Sequence, residues 1–327
     1  MFEGKEILIT GGTGSLGHAL TKKLLEFGAK KIRIFSRNEL KQIEMESEFN
    51  DKRLRFLLGD VRDYNRLIRA MEDVDIVYHA AALKHVPKIE YNSFEAIKTN
   101  VYGTQNVIDA CRHNKVDRAI CVGTDKAVSP LNTYGATKLL MEKLFINAVQ
   151  YSNPKKHVTK FFAVRYGNVF GSSGSVIPKF IEQIKAKKKL TITDPNMTRF
   201  SISMNDALKL ILNATESGKN SEVFIPKLKA YSLQDIADVM TELLGNTGQE
   251  IIGIRPGEKL HETLINHDEI RNSWEYNNMY MIKESADIKE SYQGIKKIEN
   301  LEVYSSDSVE KISKDELKMM IKTEFLE

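Results

Sequence analysis

The sequence is poor in cysteine and contains no long apolar run. Cys111 and Cys121 have neither the C-x-x-C spacing of a redox motif nor the spacing of a zinc site, so we expect reduced thiols and no metal site. No apolar stretch is long enough to span a bilayer. The first strand-like run begins at Ile7, which leaves no room for a signal peptide. These absences predict a cytoplasmic protein that is not embedded in a membrane.

The sequence also lacks a strong excess of charge. Its 48 lysines and arginines stand against 44 aspartates and glutamates, which gives a net charge of +4. This balance excludes a strongly positive electrostatic field that would attract polyanions, so we expect no nucleic-acid partner. The basic run KAKKK, at 185–189, is interpreted as a solvated helix end. A chain of 327 residues can bury a core and form one domain with an additional lobe.

A glycine-rich turn follows the first apolar run. The stretch ILITGGTGSLG, residues 7–17, places Gly11, Gly14 and Gly17 between a short strand and an amphipathic helix. Glycines there let the backbone turn tightly and let a pyrophosphate approach the free N–H groups of the helix N-terminus. An ordinary glycine-rich turn is the alternative. Because strand, spacing and helix agree, we favour a dinucleotide-binding turn, with Thr13 and Ser15 as further contacts.

The end of the second predicted strand, 31–35, indicates which dinucleotide is bound. An acidic residue at this place suits the free ribose 2′-hydroxyl of NAD, whereas arginine suits the 2′-phosphate of NADP. The chain has Ser36 and Arg37 here, and Lys41 lies about one helical turn further on. We therefore predict NADP as the cofactor. The alternative is that Arg37 and Lys41 only mark a solvated helix start.

Strand-like and helix-like runs alternate through the first half of the chain. This alternation predicts an α/β fold, with a Rossmann-type doubly wound parallel sheet and a smaller C-terminal substrate-binding lobe. The predicted strands are 7–10, 31–35, 54–58, 75–79, 118–123 and 160–164, and the clearest helices are 62–72, 93–114 and 133–151. Strand ends that open on the cofactor crevice carry further candidate contacts, namely Asp60, Val61, Ala80, Ala81 and Lys84.

The pattern becomes looser after about Phe170. We expect residues 1–170 to form the NADP-binding domain, with later strands returning to it. Residues 171–327 should form mainly the substrate-binding lobe and a C-terminal tail. A loop is predicted at 171–174, and one helix is predicted near 307–322.

A candidate catalytic group lies in CVGTDKAVSPLNTYGATKLLMEK, residues 121–143. Thr124 follows a strand directly, and Tyr134 and Lys138 are four residues apart on a helix, which places them on one face. A lysine cation beside a phenol lowers the phenol pKa, so Tyr134 can act as a base toward an alcohol that gives a hydride to nicotinamide. An ordinary amphipathic helix is the alternative. The preceding dinucleotide motif and Thr124 favour catalysis.

Asp125 and Lys126 add an acid and a base beside this redox centre. At this point the sequence resembles the nucleotide-sugar 4,6-dehydratases of the extended short-chain dehydrogenase/reductase family. It is most similar to UDP-N-acetylglucosamine 4,6-dehydratases of the inverting type, in which lysine follows the aspartate. The matching stretches are TGGTGSLG, FSRNE, GDVRD, HAAALKHVP, TDKAVSP, YGATK, RYGNVFGSSGSVIP, TRF and RPGEKLHE.

The resemblance implies a reaction on UDP-N-acetylglucosamine. Tyr134 would take the proton of the sugar 4-hydroxyl while NADP+ accepts the C4 hydride, and the ketone would make C5–H acidic. Neutral Lys126 would remove the C5 proton, and Asp125 would protonate the leaving C6 hydroxyl. The hydride would return to C6, with C5 reprotonated from the opposite face. We expect burial beside Lys138 and a positive nicotinamide to lower the pKa of Lys126, as this role requires.

Other roles come from the same resemblance. Asn100 would order the backbone, and the stretch 165–169 would border the nicotinamide, with Asn168 touching the substrate. Lys84 would reach cofactor or sugar. Arg199 and Arg255 would flank the UDP diphosphate, because arginine forks match phosphate oxygens, and Glu258 would accept from the uridine ribose. A surface charge is the alternative for each. The family also implies a homo-oligomer.

Two other functions remain open from the sequence. A nucleotide-sugar C4 epimerase would use Thr124, Tyr134 and Lys138 but would not need Asp125 and Lys126. A non-catalytic NADP-binding regulator or RNA-associated protein could share the fold. The intact catalytic group and the lack of a wide basic face argue against that reading.

Overall fold

The computed structural model describes residues 1–150, 158–171, 176–283 and 288–326. The strands are β1 (Glu6–Thr10), β2 (Lys31–Ser36), β3 (Leu54–Leu58), β4 (Ile76–His79), β5 (Arg118–Val122), β6 (Lys160–Val164), β7 (Asn168–Val169), β8 (Leu190–Ile192), β9 (Thr198–Ile202), β10 (Val223–Pro226), β11 (Ala230–Ser232), β12 (Gln249–Ile251), β13 (Thr263–Ile265), β14 (Ser273–Tyr276), β15 (Met279–Ile282), β16 (Lys296–Lys297) and β17 (Tyr304–Ser305).

The helices surround these strands. They are α1 (Ser15–Glu26), α2 (Glu39–Phe49), α3 (Tyr64–Ala70), α4 (Val86–Tyr91), α5 (Ser93–Ala96), a π-helix (Ile97–Tyr102), α6 (Gly103–His113), a 3₁₀ turn (Asp125–Ala127), α7 (Thr133–Asn147), α8 (Val176–Lys185), α9 (Met204–Ser217), α10 (Leu233–Leu244), α11 (His267–Ile270), α12 (Ile288–Ser291) and α13 (Lys314–Phe325). Within the described residues, no helix is both long and apolar enough to cross a membrane.

The main sheet has ten strands in the order β16-β14-β15-β10-β6-β5-β4-β1-β2-β3. All pairs from β10 to β3 are parallel, and β15, β14 and β16 join through antiparallel pairs. Successive strands extend the sheet to one side from β1 to β3 and to the other side from β4 onward, and this switch point opens a crevice at the carboxyl ends of β1 and β4. The Rossmann-type α/β prediction is confirmed.

Two apolar layers explain why the strands are continuous apolar runs. In β1, Ile7 and Ile9 pack into one layer with Leu20 of α1. Leu8 points to the other face and packs with Val107 of α6. Because both faces are covered by helices, every position of such a strand is buried and alternation disappears.

A second, smaller core lies beyond residue 170. Phe180 of α8 and Met240 of α10 pack with Leu317 of α13. Short sheets accompany it, with strand orders β11-β9-β7, β12-β8 and β13-β17. β10 and β14–β16 return to the main sheet, so the later half of the chain contributes to both units.

The six predicted strands agree with β1–β6 to within one residue, whereas helix ends differ more. The helix predicted at 62–72 is α3, which starts after Asp63 because this side chain accepts from Arg66 N. The helix predicted near 307–322 is α13, which starts later because Ser313 caps it by accepting from Glu316 N. The helix predicted at 93–114 is a continuous run through α5, the π-helix and α6. The helix predicted at 133–151 is α7, which ends earlier, at Asn147. Most of the predicted 171–174 loop lies outside the described residues.

Candidate functional site

A cavity of about 940 Å³ lies at the carboxyl ends of the parallel strands. Every residue that the sequence predicted for catalysis, cofactor or substrate lines it, except Asp125 and Arg165. The Asp125 side chain is fully buried and contacts Thr124 and Lys126, which line the cavity. The structure thus brings residues from both halves of the chain into one space.

The glycine-rich turn forms one end of this cavity. Gly11 has a φ of +69°, and a Cβ there would approach the Ala81 backbone to 2.9 Å. A Cβ at Gly17 would lie 2.4 Å from the Gly12 carbonyl oxygen. α1 begins at Ser15, directly after Gly14, so its first N–H groups face the cavity without a side-chain cap. The turn fits a dinucleotide pyrophosphate.

The end of β2 forms the next part of the wall. Gln42 Nε2 donates to Ser36 Oγ at 3.0 Å and so fixes Ser36 against α2. Arg37 is exposed, and its Nη1 lies 3.7 Å from Asp60 Oδ2. Burial would raise the pKa of Asp60, but Arg62 and Arg37 outweigh it and lower that pKa. Asp60 therefore stays ionised and holds Arg37 beside the cavity.

The floor of the cavity depends on two polar networks. His79 is fully buried, and its ring is hydrogen-bonded to Thr10 Oγ1 at 2.8 Å and to Thr104 Oγ1 at 2.9 Å. Burial lowers the pKa of His79 to about 3, so the ring is neutral. Asn100, in the π-helix, accepts from Leu83 N at 2.8 Å and donates to Leu83 O at 3.0 Å. These bonds hold the backbone of 80–83, as expected for Asn100.

Tyr134 and Lys138 share one face of α7 and line the cavity. Asn132 caps this helix by accepting from Gly135 N at 2.8 Å. The Lys138 ammonium donates to Val122 O at 2.6 Å, and burial lowers the Lys138 pKa. The expected lowering of the Tyr134 pKa is wrong for this arrangement. Burial raises the pKa of Tyr134 to about 12, and Lys126 only partly opposes this.

Thr124, Asp125 and Lys126 form a compact group after β5. Thr124 Oγ1 donates to Asp125 Oδ1 at 2.9 Å, and Lys126 Nζ lies 3.1 Å from the same oxygen. Lys126 Nζ also donates to Asn168 Oδ1 at 3.0 Å. Asp125 Oδ2 is buried without a hydrogen-bond partner in the described structure. Burial raises the pKa of Asp125, which favours a carboxylic acid over a carboxylate.

Glu262 belongs to this group, and the sequence reasoning missed it. Glu262 Oε1 lies 3.4 Å from Lys126 Nζ and 3.8 Å from Arg199 Nε. Its only signal in the sequence was its place at the end of RPGEKLHE, which was interpreted as a region of substrate contact. Nothing in that pattern indicates that the chain folds back onto Lys126.

The expected lowering of the Lys126 pKa is wrong, because two carboxylates lie beside the amine. Burial alone would lower the pKa of Lys126, but Asp125 and Glu262 outweigh it and raise that pKa. Lys126 is therefore an ammonium in this arrangement. The physical reason is the negative charge of the two carboxylates, of which Asp125 has the larger effect and Glu262 was not expected from the sequence.

Arg165 also differs from the expectation for 165–169. Tyr166, Gly167, Asn168 and Val169 line the cavity, whereas Arg165 points away from it. Its guanidinium is fully buried and bonds to Glu142 of α7 and Glu269 of α11. Arg165 supports the helix of Tyr134 from behind and does not border the nicotinamide position.

Arg199, Arg255 and Glu258 line the opposite end of the cavity. The Arg199 guanidinium donates to Lys259 O at 3.0 Å and Leu260 O at 3.1 Å, so it anchors this segment to β9. Arg255 is more exposed, and its Nη1 lies 3.5 Å from Glu258 Oε1. Arg255 is thus the freer of the two cations. Contact of either arginine with a diphosphate stays a prediction.

Comparisons with known proteins identify the family of this chain. A family model described as polysaccharide biosynthesis protein matches residues 7–284. The chain belongs to this family. Among its relatives, the UDP-N-acetylglucosamine 4,6-dehydratase (inverting) of Campylobacter jejuni strain 81-176 is 51% identical over 287 residues, which cover 87% of this chain and 84% of the relative. The UDP-glucose 4-epimerase of Rickettsia bellii is 42% identical and covers 98% of this chain and 96% of its own length.

Solved structures share the fold of this member of the polysaccharide biosynthesis protein family. Pen from Bacillus thuringiensis aligns with a TM-score of 0.92 at 41% identity, and the alignment covers 100% of this chain and 99% of Pen. DesIV from Streptomyces venezuelae, a dTDP-glucose 4,6-dehydratase with NAD and TYD bound, aligns with a TM-score of 0.72 at 19% identity. That alignment covers 97% of this chain and 96% of DesIV, and it shows a shared fold.

Proposed function

We propose that this protein is an NADP-dependent UDP-N-acetylglucosamine 4,6-dehydratase that inverts C5 and yields a UDP-4-keto-6-deoxy-N-acetylhexosamine. One observation carries the proposal: the acid–base pair Asp125 and Lys126 lies beside Thr124 and Tyr134 at a cavity that fits a dinucleotide. C4 oxidation alone needs no such pair. The 51% identity to the relative from Campylobacter jejuni supports the same conclusion.

The chain would contribute to C4 chemistry through α7 and the end of β5. Once the Tyr134 phenol is ionised, it accepts the proton of the sugar 4-hydroxyl, and Thr124 hydrogen-bonds the same hydroxyl oxygen. Lys138, fixed on Val122 O, holds positive charge beneath the cofactor position. The residues of the glycine-rich turn and the end of β2 would hold NADP, which would supply the hydride acceptor for C4 and the hydride donor for C6.

The chain would contribute to water loss through Asp125 and Lys126. Asp125 keeps its proton because burial raises its pKa, and it can deliver that proton to the departing C6 hydroxyl. Lys126 is held as an ammonium, so it can take the C5 proton only after it has released one of its own protons to solvent in the cavity that it lines. The 3.1 Å separation between Lys126 Nζ and Asp125 Oδ1 lets the captured proton pass back to Asp125 at the end of a turnover.

NADP is proposed over NAD because of the residues after β2. Ser36 offers a fixed hydroxyl, and Arg37 and Lys41 offer two cations where a ribose 2′-phosphate would lie. UDP is proposed at the opposite end, where Arg255 and Glu258 present a cation and a carboxylate. Lys84 and Asn168 line the cavity between these ends and would contact the sugar or the cofactor.

A homo-oligomer in the cytoplasm is part of the proposal. Exposed aromatic side chains lie close together in the chain, with Tyr91 90% exposed, Phe94 59% exposed and Tyr102 56% exposed. Such side chains are typical of protein contacts. Cys111 and Cys121 are buried free thiols, which suits a reducing compartment. Light scattering on the purified protein tests the oligomer.

The decisive experiment is proton NMR of the protein with UDP-N-acetylglucosamine in D2O without added cofactor. A new methyl signal is expected, and the ring couplings of the product report the C5 configuration. A product that keeps its hydroxymethyl group would indicate a C4 epimerase, the function named for the relative from Rickettsia bellii. No product, together with no heat of binding in titration calorimetry, would indicate a non-catalytic regulator. The Asp125→Asn variant lacks the proposed acid, so it serves as the inactive control and should give no methyl signal.

A further inference from the structure

Glu262 is a buried carboxylate with a free oxygen. It immediately precedes β13, and only 3% of the residue is exposed. Its backbone is fixed, since Glu262 N donates to Ser306 Oγ at 2.9 Å. Its Oε2 is buried and has no hydrogen-bond partner among the described residues. An ionised side chain in this position needs positive charge close by.

Lys126 supplies that charge from the catalytic loop. Its Nζ lies 3.4 Å from Glu262 Oε1, 3.1 Å from Asp125 Oδ1 and 3.0 Å from Asn168 Oδ1. An ammonium has three hydrogens, so these three acceptors match its donors. The ammonium is held between two carboxylates that come from distant parts of the chain.

The two carboxylates hold their protons differently. Burial raises the pKa of Asp125, the Lys126 ammonium opposes this, and the negative charge of Glu262 adds to the rise, so that the pKa is raised on balance. Burial would also raise the pKa of Glu262, but Lys126, Arg199 and Lys259 outweigh it and lower that pKa. Arg199 and Tyr134 also face Lys126. The proton therefore resides on Asp125, while Glu262 carries the negative charge that balances Lys126.

We propose that Glu262 is the positioning residue of the acid–base pair. It supplies the negative charge that balances the Lys126 ammonium, so that Asp125 can stay protonated as the acid for water loss. This inference rests on the proposed dehydration. Without Glu262, Asp125 would be the only carboxylate left beside Lys126. Asp125 would then give up its proton more readily, and the acid would be lost at a lower pH than in the wild type.

Removing the Glu262 charge has a defined sign. A neighbouring negative charge raises the pKa of both an acid and an amine, so its loss lowers both. The pH profile of water loss belongs to the coupled pair, and both of its limbs should therefore move to lower pH. A shift of one pH unit corresponds to a tenfold change in protonation, and we expect a shift of about one unit.

The first test measures the pH profile of methyl formation in three variants. Glu262→Gln keeps the shape of the side chain and removes its charge, so both limbs should move down by about one unit. Glu262→Asp keeps the charge and should return the limbs toward the wild-type position. Glu250→Gln, on exposed β12, is the matched control and should leave the profile unchanged.

The second test measures Lys126 directly and needs no turnover. Acetic anhydride reacts with a neutral amine, so the pH dependence of Lys126 acetylation, followed by mass spectrometry, reports its protonation. Lys185, at the exposed end of α8, serves as the internal reference. In Glu262→Gln, Lys126 should acetylate about tenfold faster relative to Lys185 at a given pH, which corresponds to a pKa lower by about one unit.

The outcomes separate this inference from the proposed function. If Glu262→Gln lowers the height of the pH profile without moving its limbs, and Lys126 acetylation is unchanged, Glu262 is only structural and the inference is overturned. If the wild type forms no methyl product, the proposed dehydration fails. Acetylation of Lys126 then still decides whether Glu262 controls its charge.

Discussion

Arg165→Met should lower the free energy of unfolding by about 3–5 kcal/mol, the range for breaking a buried ion pair. Arg165 Nε donates to Glu142 Oε2 at 3.0 Å, and Arg165 Nη1 and Nη2 donate to the Glu269 oxygens at 2.9 Å and 2.8 Å. Arg165 Nη1 also donates to Leu264 O at 2.7 Å. Methionine fills much of the same space but leaves the Glu142 carboxylate buried without its cation.

The loss should depend on pH. Burial would raise the pKa of Glu269, but Arg165 outweighs it and holds that pKa below its usual range. The stability from this pairing is fully present above the pKa of about 4.3 that glutamate has in an unfolded chain. It disappears as the pH falls through the lower value of the folded protein. The difference between wild type and Arg165→Met should therefore narrow below about pH 4–5.

Thermal and urea denaturation measure this difference. For a chain of this length, the melting temperature of Arg165→Met should fall by about 4–7 °C. Arg271→Met is the matched control, because the Arg271 side chain is 73% exposed and its Nη2 lies 3.9 Å from Asp268 Oδ1. Its effect should stay within about 0.5 kcal/mol. Equal effects of the two variants, or a loss independent of pH, would refute the reasoning.

Three further predictions concern the site. Tyr134→Phe should slow C4 oxidation by about 10²–10⁴-fold because the proton acceptor is lost; near-normal turnover in stopped-flow absorbance would remove Tyr134 from this role. Lys126→Ala should slow water loss by a similar factor of about 10²–10⁴ and leave C4 oxidation in place, so reduced nicotinamide should accumulate; undiminished methyl formation would argue against it. Arg37→Ala should weaken NADP binding by about 1.5–3 kcal/mol and NAD binding much less in titration calorimetry; equal effects on both would contradict the phosphate contact.

The first half of the fold was predictable because its signals are local. Ile7 to Ile9, the glycines that follow and the amphipathic α1 lie within twenty residues of one another, so their order alone fixes a strand–turn–helix unit. The same holds for β5, the Asp125–Lys126 turn and α7. Helix starts were harder to predict, because Asp63 and Ser313 each set the first residue of a helix through a single hydrogen bond.

The features of the site that the sequence did not predict depend on contacts between distant parts of the chain. Glu262 is more than a hundred residues from Lys126 in sequence, and only the folded chain shows that they are 3.4 Å apart. That contact adds to the effect of Asp125, and together they make the expected lowering of the Lys126 pKa wrong. The prediction that Arg165 borders the nicotinamide was wrong for the same reason. Its partner Glu269 lies in a helix of only four residues, which leaves little periodicity to detect.

The returning strands have a consequence for how the chain can be divided. Phe224 of β10 packs edge to face on Phe162 of β6, with ring centroids 6.1 Å apart, and β10 pairs with β6. A fragment that stops at residue 170 would leave β6 as an open, apolar edge of the kind that pairs with other chains. Expressing the nucleotide-binding half by itself would therefore favour aggregates, and a soluble minimal version of this protein must retain β10 and the strands beside it.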